Sequence, residues 1–172
     1  MKIGIYGGSF NPIHFGHIGL AKWVLAHTDL DKLWLMVSPN NPLKDKSILA
    51  DEQERLVAAR EAIKQLGDEG KGIVVSDFEF ALPRPNYTAN TLRALARAYP
   101  GHDFTLIIGE DNLALFDRWR EYQYILDHYR VFVYPRHDCA PYELPAAKDL
   151  RVLEGAPYFD ISSTYLRKNL HS

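Results

Sequence analysis

Short apolar runs and longer amphipathic stretches take turns along the chain. Residues 2–6, KIGIY, read as a strand that ends on Gly7 and Gly8. Residues 15–27 have helical spacing through Ile18, Ala21 and Leu25. Residues 32–37, KLWLMV, are apolar nearly throughout, the pattern of a strand covered on both faces. Pro39 and Pro42 then turn the chain into a loop. Asp51 with Glu54 gives a capping-box-like helix start. Leu56, Ala59, Ile63 and Leu66 mark its stripe, and Gly67 suits its end. A third strand is predicted at 73–76, a loop around Pro83 and Pro85, and a helix over 88–99 stopped by Pro100 and Gly101. Residues 104–108 read as a fourth strand, 113–116 and 122–126 as short helical pieces, 130–134 as a fifth strand and 150–153 as a sixth. Segment 136–149 reads as a loop. Ser162 or Ser163 caps a last helix of about 162–170.

Strand and helix in repetition imply a mainly parallel sheet with helices on both faces. The right-handed crossover rule makes a doubly wound α/β sheet the simplest arrangement. Residues 1–172 read as one domain, with no internal repeat and no interdomain linker. Ligands of such sheets sit beyond the carboxyl ends of the strands. That rule singles out segments 7–17, 38–44 and 109–119 and the entry to the last helix.

Composition narrows the class without changing this picture. The chain has 172 residues, 47% hydrophobic and 24% charged, as expected of a globular protein with a full core. A formal net charge of −2 argues against broad binding to nucleic acid or to an anionic membrane. Cys139 is the one cysteine, so no intrachain disulfide and no cysteine zinc site is expected. The N-terminus lacks the features of a secretory signal, and no apolar run approaches the ~20 residues needed to span a bilayer. A cytoplasmic protein is expected, and a homo-oligomer is compatible with the chain.

The strongest chemical signal is GGSFNPIHFGH, residues 7–17. Gly7 and Gly8 let the backbone approach a ligand closely. The helix that follows offers unpaired N–H groups and the positive end of its dipole, a seat for phosphate. His14 and His17 lie three apart at the helix entry and can face one point, where imidazoles donate hydrogen bonds to phosphate oxygens. Taken alone, two histidines at this spacing are more often surface residues, and they also suit a metal. The preceding strand and glycines favour phosphate. The segment is neither GxGxxG nor a P-loop.

GGSFNPIHFGH resembles the HxGH signature of the nucleotidyltransferase superfamily, and ISSTYLR, residues 161–167, resembles that superfamily's second signature. SPNNPLK at 38–44, YTANTL at 87–92 and IGEDNLALFDRW at 108–119 are similar to the bacterial nicotinate mononucleotide adenylyltransferases. The likeness runs over essentially the whole chain. Asn11, Ser9 and Asn90 stand where the family often has Asp, Thr and Asp, which alters charge or size but keeps the polar character.

The resemblance implies a Rossmann-like fold and transfer of AMP from ATP to nicotinate mononucleotide, giving deamido-NAD and pyrophosphate. It implies His14, His17 and Lys44 as catalytic residues. ATP would be bound by Gly7, Gly8, Ser9, Phe10, His14 and His17, by Gly109 and Asp111, and by Ile161, Ser163, Thr164 and Arg167. Lys44, Thr88, Trp119, Arg120 and Arg136 would bind nicotinate mononucleotide, Trp119 by stacking on the pyridine ring and the amides near Thr88 and Arg120 by meeting its carboxylate. Mg²⁺ would accompany ATP on substrate oxygens and water, with no side-chain metal cluster. The acceptor phosphate, with a second pKa near ~6, is ionised at neutral pH and needs no general base.

Three rival readings remain open at this point, one of them a small histidine metal site, which lacks a clear third ligand. A sibling transferase, such as phosphopantetheine adenylyltransferase or a cytidylyltransferase, would use the same phosphate machinery but has no need of Trp119 with YTANTL. A non-catalytic nucleotide sensor would not need transition-state groups such as His14, His17, Lys44 and Ser163.

Overall fold

The computed structural model describes residues 1–10, 12–39, 52–136 and 141–156. Six parallel strands form one sheet: β1 (Lys2–Gly8), β2 (Lys32–Val37), β3 (Ile73–Ser76), β4 (Asp103–Gly109), β5 (Arg130–Tyr134) and β6 (Asp149–Val152). Their order across the sheet is β3-β2-β1-β4-β5-β6. The expected doubly wound α/β sheet is therefore present. The chain winds outward from β1 to β3 and then returns to β4 on the other side of β1. A crevice opens where these two directions part, between the carboxyl ends of β1 and β4.

Alternation along the strands fixes which helix covers which face. Leu33, Leu35 and Val37 of β2 pack with α1 (Phe15–His27) and α2 (Glu52–Gln65). Ile3 and Ile5 of β1 with Leu106 and Ile108 of β4 pack beneath α3 (Thr88–Ala98), α4 (Glu110–Ala114) and α5 (Tyr122–His128). Each fully buried leucine contributes about 1.5–3 kcal/mol relative to an exposed one. Both layers are thus anchored, and the strand ends between them are held in place.

Two helical faces differ from the sequence expectation. In α1 the buried residues are Gly16, Leu20, Ala21 and Val24; of the expected stripe Ile18, Ala21 and Leu25, only Ala21 is fully buried, and Leu25 packs partly buried against the core. This helix is apolar around most of its circumference, so periodicity alone cannot choose its inner face. In α2, Leu56 and Ala59 are buried as expected, but so is Arg55. The helix expected at 113–116 is α4 followed by a 3₁₀ turn at Phe116–Arg118. The loop expected around Pro83 opens with a 3₁₀ turn at Phe78–Ala81 that buries Glu79. The Asp51 cap and the last helix lie outside the described residues. Among the described residues, no helix is long and apolar enough to cross a membrane.

Candidate active site

The loop leaving β1 is shaped by Phe10. Its backbone takes the left-handed region, φ 48°, and its side chain is buried. The ring lies edge-on to Tyr6 at 5.7 Å and to His17 at 4.9 Å. Phe10 therefore supports the loop from below. A non-glycine residue in this backbone region is uncommon and gathers at ligand sites.

His14 is the N-cap of α1. Its Nδ1 accepts from the Gly16 N–H at 3.0 Å, and the His14 N–H donates to Nδ1 of His17 at 3.2 Å. A ring nitrogen that accepts from a backbone N–H carries no proton. Each neutral imidazole must then hold its proton on Nε2. The rings stack at 3.8 Å with 28° between their planes, so the two neutral imidazoles lie face to face at the helix N-terminus. The Nε2 of His14 is buried and has no partner among the described residues, which is the situation of a donor awaiting an acceptor. Burial, then His14 and then Arg136 push the His17 pKa down to about 3. Burial followed by Arg136 also lowers that of His14. Both rings are neutral donors at pH 7.

Beside this pair, a cavity of about 250 Å³ opens at the carboxyl ends of β1, β2 and β4. Gly7 and Gly8 form one wall, Gly109 and Asn112 a second, Thr88 and Thr91 of α3 a third, and Trp119 an edge. Trp119 follows the 3₁₀ turn and rests against Phe116 at 4.8 Å. The next wall is polar: Glu79 accepts from the Ser38 hydroxyl at 3.2 Å and from the Thr91 hydroxyl at 2.6 Å, and Asn86 Nδ2 donates to the Glu79 carbonyl at 3.2 Å. Burial raises the Glu79 pKa, and hydrogen bonds from Thr91 and Ser38 oppose the rise.

Gly109 lies in a crowded position. A Cβ there would collide with the Asp111 carboxylate and lie 3.0 Å from the Tyr134 hydroxyl. Asp111 is exposed at the start of α4, with Arg136 Nε 3.9 Å from its Oδ1. The Arg136 N–H donates to Glu110 at 3.4 Å, and Glu110 accepts from the Tyr142 hydroxyl at 2.7 Å.

The structure thus gathers Gly7, Gly8, Gly109, Thr88 and Trp119 around one cavity, with His14 and His17 at the adjoining helix entry. Arg136, expected on the acceptor side, lies where its charge reaches both histidines and Asp111. The Arg120 guanidinium lies over the Tyr87 ring at 4.8 Å, outside the cavity lining. Lys44, Ile161, Ser163, Thr164 and Arg167 lie outside the described residues. Among the described residues, no group of three His, Cys, Asp or Glu side chains could hold a metal ion.

Sequence reasoning missed Ser38, Glu79, Asn86 and Thr91. Ser38 and Thr91 fall inside quoted motifs but carried no role. Glu79 had one signal, its place just beyond the carboxyl end of β3.

Comparisons with known proteins bear on the family and the fold. Residues 5–169 match the model of the cytidylyltransferase-like family. A Flavobacterium johnsoniae protein named probable nicotinate-nucleotide adenylyltransferase is 43% identical over 172 residues, covering 99% of this chain and 86% of its own. A Cytophaga hutchinsonii protein of the same name is 44% identical over 167 residues, covering 97% and 84%. Among solved structures, Plasmodium falciparum nicotinic acid mononucleotide adenylyltransferase complexed with NaAD superimposes with a TM-score of 0.80 at 20% identity, covering 97% of this chain and 82% of that one. That likeness bears on the fold.

Proposed function

The chain belongs to the cytidylyltransferase-like family and, within it, to the nicotinate-nucleotide adenylyltransferases, and from that premise we infer how its residues perform the reaction. The enzyme transfers AMP from ATP to nicotinate mononucleotide and releases pyrophosphate, forming deamido-NAD in NAD biosynthesis. The observation that carries the residue-level reading is the paired Nε2–H donors of His14 and His17 beside the Trp119 cavity.

An oxygen of the acceptor phosphate attacks the α-phosphorus of ATP, the bond to the bridging β-phosphate oxygen breaks, and pyrophosphate leaves. The nucleophile is already ionised, so the barrier lies in bringing two anions together and in the charge of the transition state. Fixed donors and positioning lower such a barrier. His14 and His17 donate to the triphosphate, with His17 the more important as charge moves toward the leaving group. The Gly7–Gly8 backbone and the N-terminus of α1 seat the phosphates. We assign Lys44, Ser163, Thr164 and Arg167 to the same anion by their motifs, with Ile161 alongside. We assign Asp111 to the adenosine part, and Arg136, whose charge reaches both histidines, to the donor phosphates.

The cavity takes the acceptor. Trp119 offers a flat face for the pyridine ring, and the backbone N–H groups near Thr88 and Arg120 suit the nicotinate carboxylate, which makes charge-assisted hydrogen bonds that nicotinamide cannot match. ATP arrives with a divalent cation as part of the substrate. Mg²⁺ is our assignment, because the described residues offer no acidic cage and Mg²⁺ is content with phosphate oxygens and water.

The test is pyrophosphate release from MgATP with nicotinate mononucleotide, nicotinamide mononucleotide and phosphopantetheine in parallel. Nicotinate mononucleotide should be used best by at least tenfold. Preference for phosphopantetheine would return the chain to a sibling reaction. No turnover with any acceptor, despite ATP binding, would favour a sensor.

A further inference from the structure

The donor loop and the acceptor cavity are joined by a run of hydrogen bonds that passes through residues with no place in the chemistry above. Arg55 lies in the first turns of α2 with its side chain buried. Its Nη1 donates to the Ser9 carbonyl at 2.6 Å and to the Ser38 carbonyl at 2.8 Å. Ser9 belongs to the loop after β1, and Ser38 follows β2. The Ser38 hydroxyl donates onward to Glu79 at 3.2 Å, and the other Glu79 oxygen accepts from the Thr91 hydroxyl at 2.6 Å. Thr91 is on α3 and faces the cavity.

The run therefore starts at the loop that seats the triphosphate and ends at the wall that receives the acceptor. It contains one buried guanidinium and one buried carboxylate, about the most expensive groups to take out of water. An apolar contact would hold these elements together at lower cost. What the charged groups add is direction: two carbonyls and two hydroxyls, each held by a hydrogen bond of defined geometry. In-line transfer depends on that kind of placement, since reacting atoms must meet at about 3–3.5 Å and an error of ~1 Å can cost ~100-fold.

We propose that Arg55 and Glu79 are positioning residues that, acting through Ser38, hold the triphosphate loop and the acceptor wall in register for the transfer. This rests on the assignment above of ATP to the β1 loop and of the acceptor to the Trp119 cavity. Neither residue needs to touch a reacting atom. Glu79 acts through the two hydroxyls it fixes, and Arg55 through the two carbonyls.

The test is steady-state kinetics and thermal melting of S38A, T91V, T91S and the double variant S38A/T91V, beside wild type, with MgATP and nicotinate mononucleotide. Ser38→Ala removes the one hydroxyl in the middle of the run. It should lower kcat about tenfold or more, with the KM of each substrate moving less than about threefold. The Thr91 pair separates positioning from packing. Thr91→Val keeps the shape and loses the hydroxyl, so kcat should fall. Thr91→Ser keeps the hydroxyl and loses a methyl, so kcat should stay near wild type even if the melting temperature drops. The double variant should be no worse than about twofold below the poorer single one, because one run is cut twice.

The opposite Thr91 ranking, with Ser impaired and Val normal, would reduce the contact to packing and overturn the proposal. So would S38A with kcat within twofold of wild type, or variants that shift only the acceptor KM, which would make Glu79 a local binding residue. If wild type turns over a different acceptor from nicotinate mononucleotide, the substrate reading fails. The same variants, measured with the acceptor that is used, still decide the positioning role.

Discussion

His14 and His17 owe their chemistry to the backbone beneath them. The Gly16 and His14 N–H groups occupy the two Nδ1 atoms, which leaves both Nε2–H groups as donors with fixed directions. Removal of one such donor from a developing oxyanion typically costs about 100-fold or more. His17→Ala should therefore lower kcat by at least that factor, and turnover near wild type would take His17 out of the mechanism. The same geometry sets a pH dependence of stability. The folded His17 pKa is held down to about 3, below its ordinary value of 6.5. Between those two pH values the unfolded chain binds a proton that the folded one excludes, so stability is full above about pH 6.5 and falls as the pH drops toward 3. His14 is lowered in the same direction. Urea midpoints at pH 7 and pH 4.5 should thus differ, and by less in His17→Asn, whose amide oxygen can take over the cap without titrating. An equal drop in both proteins would place the acid sensitivity elsewhere.

At the scale of elements, Trp119 is held by the connection from α4 to α5, not by either helix. Glu121, two residues on, is the N-cap of α5 in the left-handed region, φ 55° and ψ 38°. Arg93 of α3 grips its carboxylate with two hydrogen bonds at 2.7 and 2.8 Å while lying 3.9 Å over the Tyr124 ring. The clamp joins α3, which supplies Thr88 and Thr91, to the turn that supplies Trp119. Glu121→Gly loses the clamp but suits the backbone, whereas Glu121→Ala loses the clamp and keeps the strain. The glycine variant should melt a few degrees above the alanine one; the reverse order would show that strain at this turn is negligible. Trp119→Ala should raise the KM for nicotinate mononucleotide about tenfold, as loss of one aromatic stacking partner does, with the KM for ATP within about twofold. A collapse of ATP binding would move the tryptophan to the donor side. The strands and most helices were readable in the sequence because parallel strands are apolar runs and α2 and α3 each carry one stripe. The inner face of α1 was not, since Leu20 and Val24 compete with Ile18 and Leu25 on a helix apolar almost all round. Glu79 and Arg55 were not either. Their burial depends on Ser38 and Thr91 for the one and on two loop carbonyls for the other, all brought in from distant segments, and no local pattern records a partner 41 residues away.

For the whole molecule, the site exists because the sheet reverses its winding beside β1. The order β3-β2-β1-β4-β5-β6 puts Gly7 and Gly8 of β1 next to Gly109 of β4, so a loop from one half of the fold and a cavity wall from the other face a common crevice. The doubly wound class was inferable from the alternation of elements and the handedness of crossovers, but not the strand order, since more than one order satisfies both. The size of the cavity depends on packing across that seam, and became visible only in three dimensions. A site shared between two halves links ligand occupancy to the stability of the folded chain. A ligand at 100 times its dissociation constant stabilises the native state by about 2.7 kcal/mol, or about 5–10 °C of melting temperature for a chain of this size. MgATP alone and nicotinate mononucleotide alone should each raise the melting temperature by that order, because the proposed assignment has each contact elements of both halves. In His17→Ala the shift from MgATP should shrink while that from nicotinate mononucleotide persists, and in Trp119→Ala the pattern should invert. Thermal melts of wild type and both variants with each ligand measure this directly. If one variant lost both shifts, the two substrates would not occupy separable regions of the crevice, and the assignment of the histidines to the donor and of Trp119 to the acceptor would have to be redrawn.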